Sequence, residues 1–282
     1  NLRCMEDFNL DMLGLISDPY RETSAFGAKI KYIPDGVPRC LDLIVKNIDD
    51  VKKLKIPDIY KAERTLDRIK AGEVLTKKTQ GNIPIIGWIE GPLAEACDLT
   101  GMENMLMQLM IDPDFANSLL DKCMTTAKDF AKAQFEAGCE IIGIGDAVCS
   151  QIDVDTYNTY VRDRHKELIA YIQSLGGKIK LHICGDTNHL LPSYADFNLD
   201  ILDLDWQVDI DHARSVLGEK VILAGNINPV DIQNKSSEEV SIVSKELVKK
   251  HKNERFILSA GCEITPLTSP ENLLAMSEAA KL

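Results

Sequence analysis

Short apolar runs alternate along the chain with longer stretches of helical periodicity. The runs Met12–Ile16, Ile83–Ile89, Glu140–Gly145, Ile179–Ile183, Ile201–Leu204, Val221–Ala224 and Phe256–Ser259 are continuous rather than alternating. That pattern predicts strands buried on both faces. Between them, Asp114–Ala137, Val154–Leu175, Ile210–Leu217, Ser237–Lys250 and Pro270–Lys281 repeat apolar residues at helical spacing. Asp112-Pro113 and Ser269-Pro270 are entry signals, because proline suits the first helical turn. Repeated strand and helix predicts an α/β fold, a parallel sheet covered by helices.

Two architectures of that kind compete. A doubly wound sheet would carry a Gly-rich phosphate turn after a strand, and none is present; Ile144-Gly145-Asp146 is not one. A (β/α)8 TIM barrel needs eight strands, and seven are visible. The sequence begins at Asn1 and enters an apolar pattern at once. The expectation is therefore one barrel domain over 1–282, with its N-terminal part, including the eighth strand, missing. Thr23–Gln80 has no strand in register and reads as a helical insertion around 23–80. There is no internal repeat and no low-complexity segment.

Composition narrows the function classes. The 282 residues are 45% hydrophobic and 27% charged, enough for an ordinary core. The net charge is −12, and the densest basic stretch, Lys245 to Lys252, still contains Glu246. No phosphate backbone is indicated, hence no nucleic-acid partner. No apolar run approaches the roughly 18 to 20 residues of a membrane span, and no charged-then-apolar leader opens the chain. A soluble cytoplasmic protein with no membrane partner is expected. Eight cysteines in a chain this long do not resemble a small secreted disulfide scaffold. Most stand in apolar surroundings, as small hydrophobes do.

The chemistry gathers at the C-terminal ends of the strands. Asp18, Glu90, Asp146, His182 with Cys184, Asp205, Asn226 and Cys262 all fall there. Barrel active sites are built on that face from several strands. For Asp18 and Asp146, capping of the next helix explains an acid equally well. Capping does not explain the histidine or the cysteines.

In Leu181-His182-Ile183-Cys184-Gly185, alternation along a strand turns His182 and Cys184 to one side and Ile183 away. Alone, such a pair is more often a buried histidine beside an inert cysteine. Ser259-Ala260-Gly261-Cys262-Glu263 changes that balance, because a second cysteine ends another strand after a glycine that permits close approach. Both ends open onto the same barrel mouth. Three donors leave one tetrahedral position open, the catalytic arrangement of zinc; a structural site would use CxxC pairs, which are absent. The mixed imidazole and thiolate set favours zinc over iron or copper. Zn2+ with two thiolates and a neutral imidazole has no net charge. A substrate thiol in the open position loses its proton yet stays nucleophilic, which suits alkyl transfer to sulfur better than hydrolysis.

The residues Gly87-Trp88-Ile89-Glu90-Gly91-Pro92-Leu93, Gly145-Asp146-Ala147, His182-Ile183-Cys184-Gly185, Gly225-Asn226-Ile227-Asn228-Pro229 and Ala260-Gly261-Cys262-Glu263 occur in that order. From about residue 8 onward the chain resembles the uroporphyrinogen decarboxylase superfamily, within it the methylcobalamin:coenzyme M methyltransferase branch and its corrinoid-dependent relatives. The resemblance implies a (β/α)8 barrel with zinc on His182, Cys184 and Cys262. It implies methyl transfer between the methylcobalamin of a partner corrinoid protein and a thiol such as coenzyme M. A methoxy or methylamino donor passing its methyl to the corrinoid is equally compatible. In decarboxylases the late position is histidine, so Cys262 argues against porphyrinogen decarboxylation. Asp18, in Leu15-Ile16-Ser17-Asp18-Pro19, matches the decarboxylase aspartate and keeps that activity as the alternative. An accessory zinc- or corrinoid-binding protein without turnover is the third class.

A more distant likeness to cobalamin-independent methionine synthase, with an HxC, an acid at the next strand end and a late cysteine, implies Asp205 as a displaceable or neighbouring carboxylate. Glu90 is the alternative acid, and a plain helix cap at Asp205 remains open. Asn226 and Trp206 are expected to line the pocket, since the Asn228-Pro229 turn would aim the Asn226 amide inward. Asp146 is taken with them as cofactor-facing.

Overall fold

The seven apolar runs all become parallel strands, because a run without alternation buries both faces only between a helical layer and a barrel interior. In the computed structural model, residues 1–34 and 36–281 are described. The strands in chain order are β1 (Leu13–Gly14), β2 (Ile30–Lys31), β3 (Arg39–Cys40), β4 (Ile85–Glu90), β5 (Ile141–Gly145), β6 (Lys178–Ile183), β7 (Ile201–Leu204), β8 (Ile222–Ile227) and β9 (Phe256–Ala260). The main sheet runs β1-β4-β5-β6-β7-β8-β9, and every neighbouring pair is parallel. This is a curled sheet of the (β/α)-barrel type, with seven strands among the described residues. No described helix is long and apolar enough to cross a membrane.

Boundaries shift where hydrogen bonding, not composition, decides them. Only Leu13 and Gly14 of the Met12–Ile16 run ladder with β4, although Leu15 N–H still donates to the Ile86 carbonyl at 2.8 Å. β8 continues past Ala224 to Ile227 and so takes Asn226 into the strand. The stretch Val154–Leu175 is two helices, Val154–Tyr160 and Arg162–Ser174, joined at Val161.

The segment expected as a helical insertion adds no strand to the main sheet, but it is not wholly helical. Thr23–Gln80 contains the antiparallel β2–β3 ladder, two residues on each side and too short to leave an apolar pattern. Its last helix, Glu63–Thr79, buries Thr65, Ile69, Gly72, Leu75 and Thr79. A Cβ at Gly72 would touch Leu15, Ala137 and Cys139, so this helix belongs to the layer covering the sheet.

Two apolar clusters flank the sheet. The larger holds Ile85, Ile89, Ile142, Ile144, Leu181 and Ile183 against the helices. The smaller, Ile86, Ile141, Ile201 and Ala224 with Met12, Ile222 and Ile257, fills the inner face. Alternation then puts Ile86, Trp88 and Glu90 on that inner face, rising toward the C-terminal end. The Trp88 indole occupies the space left by two glycines: a Cβ at Gly143 would lie 2.3 Å from it, and one at Gly145 2.9 Å. Trp88 is the floor of the mouth above it.

Candidate metal centre

β6 ends by turning His182 and Cys184 to the same side, as strand alternation requires. Their Nε2 and Sγ atoms are 3.1 Å apart. The β9 end brings Cys262 Sγ to 3.6 Å from Cys184 Sγ. Gly261 makes that approach feasible: a Cβ there would lie 2.3 Å from the Trp206 backbone nitrogen. Gly261 N–H also donates to the Ile227 carbonyl at 2.8 Å, which fixes the turn beside β8.

Within this group the three donor atoms all lie within 4.8 Å of one another. Tetrahedral zinc with bonds of about 2.0 to 2.3 Å sets its ligands roughly 3.3 to 3.8 Å apart. The observed 3.1 and 3.6 Å need only small adjustment, so the residues fit the metal. His182 Nδ1–H donates to the Asp203 carbonyl at 3.1 Å, which leaves Nε2 facing the sulfurs. Such a partner beyond the ligand shell fixes the tautomer of a metal-binding histidine.

The electrostatics already favour a cation. A hydrogen bond from Cys184, then one from His182, holds the Cys262 thiol down at about 4. The same shared hydrogen bond, with burial, pushes Cys184 up. Burial lowers His182, but contact with Cys262 and the Asp203 charge raise it overall. The three groups thus share protons around one thiolate, the species that binds a metal.

The strand-end carboxylates take different places, and Asp205 takes the neighbouring one of its two expected roles. Asp205 does not join the donor group: its two oxygens accept the Gly185 N–H at 2.8 Å and the Gln207 N–H at 3.1 Å. It anchors the loop carrying Cys184, because two backbone donors already claim its oxygens. Asn226 donates its amide to the Asp205 and Val208 carbonyls at 3.0 and 2.7 Å, holding the loop that follows β7 and carries Asp205. Trp206 is 47% exposed beside Gly261. Asp146 is fully buried and turned to the helix layer, a correction to its cofactor-facing role. Its oxygens accept the Ala94 N–H at 2.7 Å, the Leu93 N–H at 3.3 Å and His165 Nε2–H at 2.9 Å, with Tyr157 on the other side of the ring. The carboxylate is drawn to the positive N-terminus of helix Pro92–Thr100.

Asp18 is bound by Arg64 at 2.5 Å, by the Ser17 hydroxyl and by the Tyr20 N–H. Burial opposes its ionisation, but the Arg64 partner holds the carboxyl below its usual range. Glu90 accepts from Arg21 Nη2 at 2.8 Å. Sequence reasoning missed three participants. Asp203 stands opposite His182 and pairs with Lys180 at 2.7 Å inside the sheet. Arg21 and Glu22 are buried beside Glu90. Strand parity puts Asp203 on the same face as Asp205 but does not say which residue of β6 it meets; a buried arginine in a five-residue helix leaves no signal.

A parallel (β/α)-barrel sheet with a His, Cys and Cys donor set at its mouth defines a class of barrel protein with a metal-competent thiolate centre. The uroporphyrinogen decarboxylase (URO-D) model matches residues 1–282, and the chain belongs to that family. It is 26% identical over 277 residues to a uroporphyrinogen decarboxylase of Geobacter sulfurreducens, covering 96% of this chain and 79% of that one. It is 30% identical over 247 residues to the methylcobamide:CoM methyltransferase MtbA of Methanosarcina mazei, covering 86% and 71%. A solved methyltransferase structure from Methanosarcina mazei superposes with a TM-score of 0.88 at 22% identity, over 99% of this chain and 82% of that one. The likeness supports the fold.

Proposed function

We propose that this family member is a zinc-dependent methyltransferase. It moves a methyl group between the methylcobalamin of a partner corrinoid protein and a thiol such as coenzyme M, or from a methoxy or methylamino donor to the corrinoid. The observation that carries the reading is the convergence of His182 Nε2, Cys184 Sγ and Cys262 Sγ within 4.8 Å at the sheet's C-terminal face. Bound there, zinc would supply Lewis acidity that favours the thiolate of an incoming thiol.

The chain's own residues prepare the exchange. Asp203 fixes the tautomer of His182, Asp205 holds the Cys184 loop, Asn226 in turn holds the loop that carries Asp205, and Gly261 lets Cys262 close on the pair. Trp88 seals the floor and excludes water from below. The half-exposed Trp206 flanks the opening, where a corrinoid face would arrive.

Porphyrinogen decarboxylation is the rival, since decarboxylases are among the relatives. Two features weigh against it. Cys262 stands where the decarboxylase branch has histidine, and Arg64 already occupies the Asp18 carboxylate. The deciding experiment is metal analysis with parallel assays. The protein purified without chelator should hold about one zinc per chain, as a three-donor open site would. It should demethylate methylcobalamin in the presence of a thiol. A metal-free protein that decarboxylates a porphyrinogen would reverse the assignment.

A further inference from the structure

The sheet register brings a second titratable cluster to the same mouth. Glu90 pairs with Gly145, and Gly145 pairs with His182. The three stand at one level on adjacent strands, so the outer two backbones are about 10 Å apart at ~4.8 Å per strand. Gly145 carries no side chain, and the Trp88 indole lies beneath it. β5 therefore puts no side chain of that level between the Glu90 carboxylate and the side of β6 that bears His182 and Cys184.

Glu90 is held for a task rather than for packing. Arg21 Nη2 donates to its Oε1 at 2.8 Å, and its own N–H donates to Glu22 Oε1 at 2.9 Å. Arg21 and Glu22 are sealed at 1% and 2% side-chain exposure, while Glu90 keeps an open edge at 11%. The groups facing Glu90 are Arg21 and Glu22 from helix Arg21–Ala25, Asp98 from helix Pro92–Thr100, and Cys184 across the mouth. Glu95 stands behind them, and Asp18 is taken up by Arg64. Arg21 is thus the cation that faces Glu22, Glu90 and Asp98 together. A thiol that enters the mouth as R–SH must leave its proton with some base.

We propose that Glu90 accepts the proton of the substrate thiol, with Arg21 and Glu22 as positioning residues. This rests on the methyltransferase reading above. In the step the S–H bond breaks, its electron pair stays on sulfur, and the proton forms an O–H bond on the Glu90 carboxylate. In the reverse direction the carboxyl returns it. Burial, resisted by Arg21 and reinforced by Glu22 and Asp98, raises Glu90 well above the ordinary carboxylate range. That direction moves a glutamate toward the neutral values a general base needs.

The test is the binding of 2-mercaptoethanesulfonate to the zinc-loaded protein at pH 7. Protons released per thiol bound are counted by calorimetry in buffers of different ionisation enthalpy. A cobalt(II)-loaded sample reports, through its sulfur-to-cobalt absorption band, whether the thiol reaches the centre. The wild type should bind the thiol and keep most of the proton. Glu90→Gln should release about one proton per thiol, and its thiol affinity should fall roughly tenfold for each unit of pH lowered. Glu90→Asp keeps the charge that pairs with Arg21 and should restore part of the proton retention, which a loss of packing would not do. Wild-type proton release and affinity in Glu90→Gln, with zinc content unchanged, would overturn the proposal alone. A wild type that shows no thiol-dependent cobalt band would overturn the methyltransferase reading, and this inference with it.

Discussion

At Gly261 a Cβ would lie 2.3 Å from the Trp206 nitrogen and 2.7 Å from its Cα, so no side chain fits without moving backbone. Gly261→Ala is expected to cost about 1–3 kcal/mol, the usual range for overpacking. It should also weaken metal binding, because the displaced backbone carries Cys262. Urea unfolding and zinc titration read the two effects separately. Cys262→Ala should behave differently. Cys262 is only half-buried, so the metal-free protein should keep its stability within about 1 kcal/mol, as near-surface changes do. Its zinc affinity should drop by orders of magnitude with the loss of one of three ligands. Equal zinc affinity in Cys262→Ala and wild type would remove the centre from consideration. These residue-scale effects were partly legible. The HxC spacing fixes two donors on one strand face, and the glycine before Cys262 marks a close approach. Asp203 was not legible, because its place opposite His182 depends on the register of β6 against β7.

Among the elements, helix Pro92–Thr100 is bound to the sheet through its first turn. Asp146, at the end of β5, accepts two of that turn's backbone N–H groups together with His165. Replacing Asp146 by alanine leaves those buried donors without an acceptor, at about 1–3 kcal/mol each where no water reaches them. A loss of about 3 kcal/mol is expected, seen as a lower thermal midpoint. Zinc content should not change, since the metal donors come from β6 and β9. A variant with wild-type stability would show that the network does not hold the helix. The strands themselves were readable from continuous apolar runs, which suit a sheet covered on both faces. The β2–β3 ladder was not, for two residues a side carry no periodicity. Glu63–Thr79 looked like part of an insertion because its buried face includes Gly72 and Thr65, which an apolar pattern does not register.

On the scale of the molecule, the mouth concentrates acid that the sequence scatters. Glu22, Glu90, and the pair Glu95 and Asp98 come from three elements and are all raised, chiefly by burial. Asp98 moves from the ordinary 3.8 to about 7. For an acid raised in the folded state, the favourable contribution is complete below 3.8 and is lost as pH rises to about 7. Asp98→Asn removes that loss. It should therefore stabilise the protein at pH 8 by at most ~4 kcal/mol, at ~1.4 kcal/mol per pH unit, and change little near pH 4. Unfolding midpoints at the two pH values are the measurement. Equal effects at both would mean that Asp98 titrates normally.

By itself the sequence determined the strand and helix alternation, the parallel sheet and the three residues proposed here as metal donors. Each of those depends on local spacing: apolar runs for buried strands, i and i+2 for His182 and Cys184, a glycine next to Cys262. The tertiary structure alone decided what holds each strand-end acid. Asp146 and Asp205 have the same strand-end position as Glu90, yet backbone amides claim their oxygens. Glu90 is left facing the mouth because Arg21, 69 residues away in the chain, supplies its charge partner. A carboxylate goes to the nearest donors, and those are set by how the elements pack, which no local pattern records.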